Sequence, residues 1–272
     1  TFPVPSLYLP CTFPVPSRYR YVLPAFSRAA TDPEAMVRCA LASSIASLAV
    51  TGKRYLEVAQ WMRVVSLRRD STGGGASAAG GDATKLQSFD AEFGALQEQV
   101  SRVVVSLLTD PESTPVVKRS LLVDVTRLCI FFERQNTNDL LLPLLITFLN
   151  DKDPSLRRDF FENISGVCAF VGRASLQAFV LPCILQALTD VEETIVTAAL
   201  NSLCQLAEVT LHERAALLDI AAKIAPLLTH PNSWVRHGAL GYFGAISPHF
   251  SPTDTFTLLR PLLRPFLARP LL

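Results

Sequence analysis

Five times along this chain an apolar stretch ends in a short polar break, after which apolar residues resume at helical spacing. The breaks read SRAATDPEAMVR at 27–38, LLTDPESTPVVK at 107–118, LNDKDPSLR at 149–157, ALTDVEETIV at 187–196 and LLTHPNSWVR at 227–236. Aligned on Val37, Val117, Leu156, Val196 and Val235, they lie 80, 39, 40 and 39 residues apart. The first gap is two periods long. A helical pattern with a fixed period near 40 residues means that one unit of two helices is being repeated, and such a unit cannot bury its apolar surface alone.

The fold class follows: all-α, a HEAT-type α-solenoid of about five helix pairs with right-handed superhelical stacking. In the second helix of the third unit, Leu156, Phe160, Ile164, Val167, Cys168 and Val171 recur at steps suited to one helix face. In the fourth, Ile195, Ala199, Leu203 and Leu206 do the same. Asp32-Pro33, Asp110-Pro111, Asp153-Pro154 and His230-Pro231 each predict a proline at the first position of the second helix, where its missing N–H costs nothing. The aspartates are expected to cap the free N–H groups. Asp190 with Glu193 predicts a capping box.

The first long gap predicts a helix to about residue 67, a mobile Gly/Ala/Ser-rich loop over 69–88, and a helix restarting near 89. Residues 1–18 are Pro-rich, with TFPVPS at 1–6 and again at 12–17, and are expected to be extended or disordered, or an artefact. The repeat domain is placed at 19–272.

A mean hydropathy of +0.30 raises the possibility of a membrane protein. No uncharged apolar run reaches the roughly 18–20 residues of a spanning helix, so many largely buried helices are expected instead. A net charge of +1 lacks the footprint of a nucleic-acid binder. The cysteines, Cys11, Cys39, Cys129, Cys168, Cys183 and Cys204, have no zinc-site spacing and read as reduced packing residues. Cys129 and Cys168 share one repeat position.

Gly75 and Gly80 have P-loop spacing, but Gly81 and Asp82 stand where Lys and Ser/Thr are needed. Asp159-Phe160-Phe161 resembles a kinase triplet only in its first two letters and fits the core stripe. His212, His230, His237 and His249 form no ligand set, and Asn163-Ile164-Ser165 is a sequon inside a helix. No catalytic, cofactor or metal site is predicted.

Arg38, Lys118, Arg157 and Arg236 follow the aligned residue in four units, and Thr197 breaks the series. They read as a ladder pairing with turn carboxylates or carbonyls, or as a basic stripe for an acidic partner. Arg260, Arg264 and Arg269 read as solvated surface, or as contacts for anionic lipid. Trp234 is expected to pack between turns; the alternative is a partner anchor. Trp234, Arg236 and Arg157 are therefore the candidate protein-binding residues.

The segments SFDAEFGALQEQV, VTRLCIFFERQNTND, LITFLNDKDPSLRRDFFENISGVCAFVG and IAPLLTHPNSWVRHGALGYF follow one another in an order that resembles one family. It is that of the large regulatory subunit of the class III phosphatidylinositol 3-kinase complex, in its central helical-repeat region, over about 19–272. The resemblance implies a parent with a kinase-like domain before this region and a WD-repeat propeller after it. It implies a non-catalytic scaffold in autophagy and endosomal sorting. The implied partners are the catalytic lipid kinase subunit and a Beclin-type subunit. The implied location is cytoplasmic, peripheral on endosomal and autophagic membranes, with membrane contact only through the complex. The rival reading is a generic HEAT-repeat adaptor of the phosphatase-scaffold or transport-receptor type.

Overall fold

The computed structural model of the protein describes residues 25–71, 82–110, 113–209 and 213–267, and for 66–71 and 82–88 the backbone alone. All regular structure among the described residues is helical. After a helical stretch at 25–30 come α1 (Ala35–Ser71) and α2 (Asp82–Thr109). The next second-helix position is split into α3 (Pro115–Leu122) and α4 (Val125–Asn136). Then follow α5 (Leu142–Ile146), α6 (Pro154–Val171), α7 (Leu181–Ala187), α8 (Glu193–Glu208), α9 (Arg214–Ile224) and α10 (Ser233–Ile246). A last rod covers Pro252–Asp254, Thr255–Leu259 and Arg260–Leu263.

The second helices of the pairs form one layer: α1 packs on α3 and α4, these on α6, α6 on α8, and α8 on α10. Of the aligned residues, Val117, Leu156 and Val235 are fully buried there and Val196 nearly so, but Val37 of the first unit is 39% exposed, and its neighbour Arg38 is buried instead. One continuous apolar core runs from Ala30 to Leu259, which is what neighbour-on-neighbour stacking requires. The chain is thus an all-α solenoid, as the period predicts.

The long first gap is mostly helix. α1 reaches Ser71, beyond the expected end near 67, and α2 starts at Asp82, before the expected 89. The polar and Ala-rich flanks are compatible with helix, so composition overstated the loop. The rest of the predicted loop, 72–81 with Gly75, Gly80 and Gly81, lies outside the described residues, as do 1–18, Cys11, His212 and Arg269.

The first helices carry a feature that motif reading missed. Pro143, Pro182 and Pro261 each sit at the second position of a short helical segment, inside a longer rod. A proline within an α-helix lacks its N–H and its ring meets the carbonyl four residues back. Here the rod widens by one residue just beforehand. Leu142, Leu181 and Arg260 donate their N–H to the carbonyls of Thr137, Leu176 and Thr255, five residues back. These π-turns make room for the rings. In the rod of α9 the chain instead tightens to a 3₁₀ turn at Ala225–Thr229, where Pro226 lies. The signal was present in the sequence: LLLPLL, VLPCIL and LLRPLL.

At the end of α4, Glu133 adopts φ 62° and ψ 174°. A side chain there costs of order 1–3 kcal/mol, while glycine adopts the region freely. Its ion pair with Lys53, at 3.4 Å with Glu133 61% exposed, contributes little. Glu133→Gly is therefore expected to raise stability by about 1 kcal/mol, net of glycine's entropy cost. Chemical denaturation checks this, and a fall in the midpoint would refute it.

Candidate protein-interaction surface

The edge where first helices turn into second helices is built from a recurring hydrogen-bond pattern. Asp32, Asp151, Asp190 and His230 each accept the N–H two residues on, from Glu34 (2.9 Å), Asp153 (3.1 Å), Glu192 (2.9 Å) and Asn232 (3.1 Å). In two units a second turn follows: Asp153 accepts from Ser155 N–H at 3.0 Å and Asn232 from Trp234 N–H at 2.8 Å, capping α6 and α10. These short side chains offer the backbone a partner where the helix has none.

This pattern corrects three expectations. Pro154 sits at the first helical position, but Pro33 and Pro231 lie in the turn before the cap; in the second unit Pro115 takes that position, and the expected Pro111 lies outside the described residues. Asp190 and Glu193 form no capping box: Asp190 serves Glu192, and Glu193 accepts from the Asn232 amide of the next turn. In the fourth unit the turn places Ile195, not Val196, at the anchor position, so the residue matching the arginines is Val196 rather than Thr197.

The basic ladder is real and has a definite form. Each arginine of the series reaches back over its own turn. Arg38 donates to the carbonyls of Asp32 (2.5 Å) and Pro33 (3.2 Å), Arg157 to Asp151 (2.8 Å) and Lys152 (3.4 Å), Arg236 to His230 (2.9 Å) and Pro231 (2.8 Å). In each case one guanidinium nitrogen, Nη1, donates to both carbonyls. Two members also reach forward one unit: Lys118 Nζ to Asp151 at 2.7 Å and Arg157 to Asp190 at 3.3 Å. Arg157 is thereby committed to structure on both sides, beside a cleft of about 190 Å³ lined by Asn150, Phe161, Gln186 and Asp190.

Burial acts to raise the Asp151 carboxyl, but the Lys118 ammonium and the N–H groups of Asp153 and Lys152 outweigh it and hold it below the usual carboxylate range. A lowered carboxyl stabilises the fold above its unfolded pKa of about 3.9, and that stability is lost as pH falls through the folded value. Lys118→Met is expected to lower stability at neutral pH and to flatten the acid limb below about pH 4. Denaturation curves across that range test it, and an unchanged acid limb would count against it.

Trp234 differs from expectation: its side chain is 72% exposed rather than packed between turns. The next residue, Val235, takes the buried slot, and Asn232 fixes the start of α10 so that Trp234 points outward. Met36 and Val116 hold the same place in their units and are also exposed. Trp234 shares the outward face of α10 with His237, Leu240, Gly241 and Gly244.

The remaining candidates are structural. Burial pushes the Cys129 and Cys168 thiols up to about 12, which leaves them unreactive. Phe160 and Phe161 are buried edge to face, and Asp159 pairs with Arg119 and Arg158. His237 and His249 bond backbone carbonyls, and Asn163 donates to Asp159 O at 2.8 Å. Arg260 lies over the exposed Phe256 ring at 4.6 Å, and Arg264 is exposed. Among the described residues no group of His, Cys, Asp or Glu could hold a metal.

With this geometry the chain was compared with known proteins. The solved structure of Cex1p covers 94% of this chain and 51% of its own, with a TM-score of 0.56 and 13% identity, which speaks for the fold alone. The probable serine/threonine-protein kinase vps15 of Dictyostelium discoideum is 40% identical over 249 residues, 91% of this chain and 12% of that protein. The serine/threonine-protein kinase VPS15 of Arabidopsis thaliana is 37% identical over 253 residues, covering 92% and 17%. That of Saccharomyces cerevisiae is 43% identical over 184 residues, covering 67% and 12%. The chain therefore spans less than a fifth of these relatives. A family model described as PIK3R4-like, middle domain, matches residues 19–272, so the chain belongs to that family and forms its middle, helical-repeat region rather than a kinase domain.

Proposed function

We propose that the chain is a non-catalytic scaffold of a VPS15-type regulatory subunit, joining the domains on either side and offering repeat surfaces for assembly of a class III phosphatidylinositol 3-kinase complex. The partners are the catalytic lipid kinase subunit and a Beclin-type subunit, and the setting is the cytoplasmic face of endosomal and autophagic membranes. The supporting observation is the single core from Ala30 to Leu259, tied between units by Lys118–Asp151 and Arg157–Asp190, in a chain of this family. A solenoid of this kind transmits geometry from end to end because each unit is fixed by its neighbours.

Trp234 is the leading contact, since exposed tryptophans at interfaces carry large shares of binding energy. Trp234→Ala in the full-length protein is expected to leave stability within about 0.5 kcal/mol. It is also expected to weaken co-purification with the lipid kinase subunit by roughly tenfold or more. Deletion of 90–250 should abolish assembly. Undiminished assembly after the deletion would defeat the scaffold reading; an effect of the deletion but none of Trp234→Ala would remove Trp234 alone.

A further inference from the structure

Where the last rod turns back on the end of α10 there is an open-sided groove of about 430 Å³, lined by Ser247, Phe250, Pro252, Thr255, Phe256 and Arg260. Phe250 is buried, and Leu259 ties the rod to the core. Phe256 is 62% exposed, and the Arg260 guanidinium lies over its ring at 4.6 Å. The groove is held in shape from beneath. A capping box between Ser251 and Asp254 starts the rod, and Arg214 both pairs with Asp254 and lies over the Phe250 ring at 5.4 Å.

Its charge is unbalanced. The Arg264 N–H donates to the Arg260 carbonyl at 3.0 Å, so two exposed arginines stand one helical turn apart. Like charges at that spacing repel. Elsewhere the chain answers such residues with acids, as Arg119 with Asp159 and Arg157 with Asp190. Among the described residues neither Arg260 nor Arg264 has a carboxylate within ion-pair distance. Asp254 is the only acid from 250 to 267, and it is taken up by Arg214 and by the Ser251 hydroxyl at 2.7 Å.

This combination selects a class of occupant. A guanidinium laid on an aromatic face keeps its donors in one plane, the form in which it receives a carboxylate at two points. The exposed ring of Phe256, with Pro252, offers apolar contact beside it. A small molecule needs most of its surface covered, which an open-sided groove does not supply. A chain segment lying along the rod gathers further contacts outside the groove, and pre-formed walls lower the cost of holding it. We propose that this groove binds an acidic segment of a partner protein, with carboxylates on Arg260 and Arg264 and a neighbouring apolar side chain against Phe256. The inference rests on the groove alone, apart from Trp234 and from the scaffold role.

The test uses the full-length protein and a fluorescein-labelled peptide with two glutamates beside a leucine, matched by one with glutamines in their place. Anisotropy is expected to rise with the acidic peptide, and the amide peptide should need roughly tenfold more protein. Arg260→Gln should weaken the acidic peptide by roughly tenfold, Arg260→Glu further, and Phe256→Ala by roughly threefold. These side chains are exposed, so the melting midpoint should hold. Arg28→Glu, exposed at the far end of the solenoid, makes the same charge change and should leave binding as it was. The proposal is overturned if the acidic peptide binds no better than the amide one, or if Arg260→Gln binds like the unaltered protein. Equal weakening by Arg28→Glu also overturns it, since net charge alone would then explain the binding. So does binding of phosphatidylcholine–phosphatidylserine vesicles that is lost with Arg260→Gln, which would make a lipid surface the occupant.

Discussion

Replacing Phe131 by alanine is expected to destabilise the protein by about 3–5 kcal/mol, the largest effect of any single change considered. Phe131 is fully buried where α4 meets α2. Its ring meets Phe93 edge-on at 5.7 Å and Phe132 at 5.4 Å, and Phe93 in turn stacks on Phe89. Its carbonyl accepts the Gln97 amide at 3.0 Å, so the same residue is pinned from α2 twice. Alanine would leave a cavity among rigid rings that cannot close over it. In a solenoid this loss should be local. Hydrogen exchange is expected to show α1 and α2 opening well before α8 and α10, because each unit depends only on its neighbours. A change under 1 kcal/mol, or uniform loss of protection along the chain, would contradict this account of the core.

The second large effect is expected from Gly172→Ala, about 2–3 kcal/mol destabilising. Gly172 ends α6 with φ 97° and ψ 172°, a conformation that side chains resist. A Cβ there would also stand 1.8 Å from a guanidinium nitrogen of Arg134. Arg134 occupies that space because its Nε donates to the carbonyl of Val171 at 2.9 Å, satisfying the last turn of α6 and placing a cation at its negative end. Arg134 itself is exposed, so Arg134→Ala alone should cost under about 1 kcal/mol. The double variant should be less destabilised than the sum of the two, since removing Arg134 clears the clash and leaves only the backbone strain. Strict additivity would mean that the two residues do not share the site as described.

Much of the turn edge was legible in the sequence. The arginine four residues after the helix cap recurs because every turn presents the same carbonyls, and the structure shows Arg38, Arg157 and Arg236 gripping them alike. What pattern reading missed was the register of the fourth unit. There both Ile195 and Val196 are apolar and buried, and only the Asp190–Glu192 turn tells which is the anchor. It also placed Trp234 inside. An aromatic residue beside a turn fits either role in sequence, and its direction is set by where Val235 and Asn232 are held.

The sequence by itself determined the period, the helix-only composition of the units and the residues that fill the core. These depend on spacing and side-chain type, which are properties of the chain alone. Only the tertiary structure decided that Arg134 closes the end of the following helix over Gly172, and that Trp234 points outward while Val235 is buried. Each of these depends on which surface a neighbouring helix covers, and that is settled when the units stack.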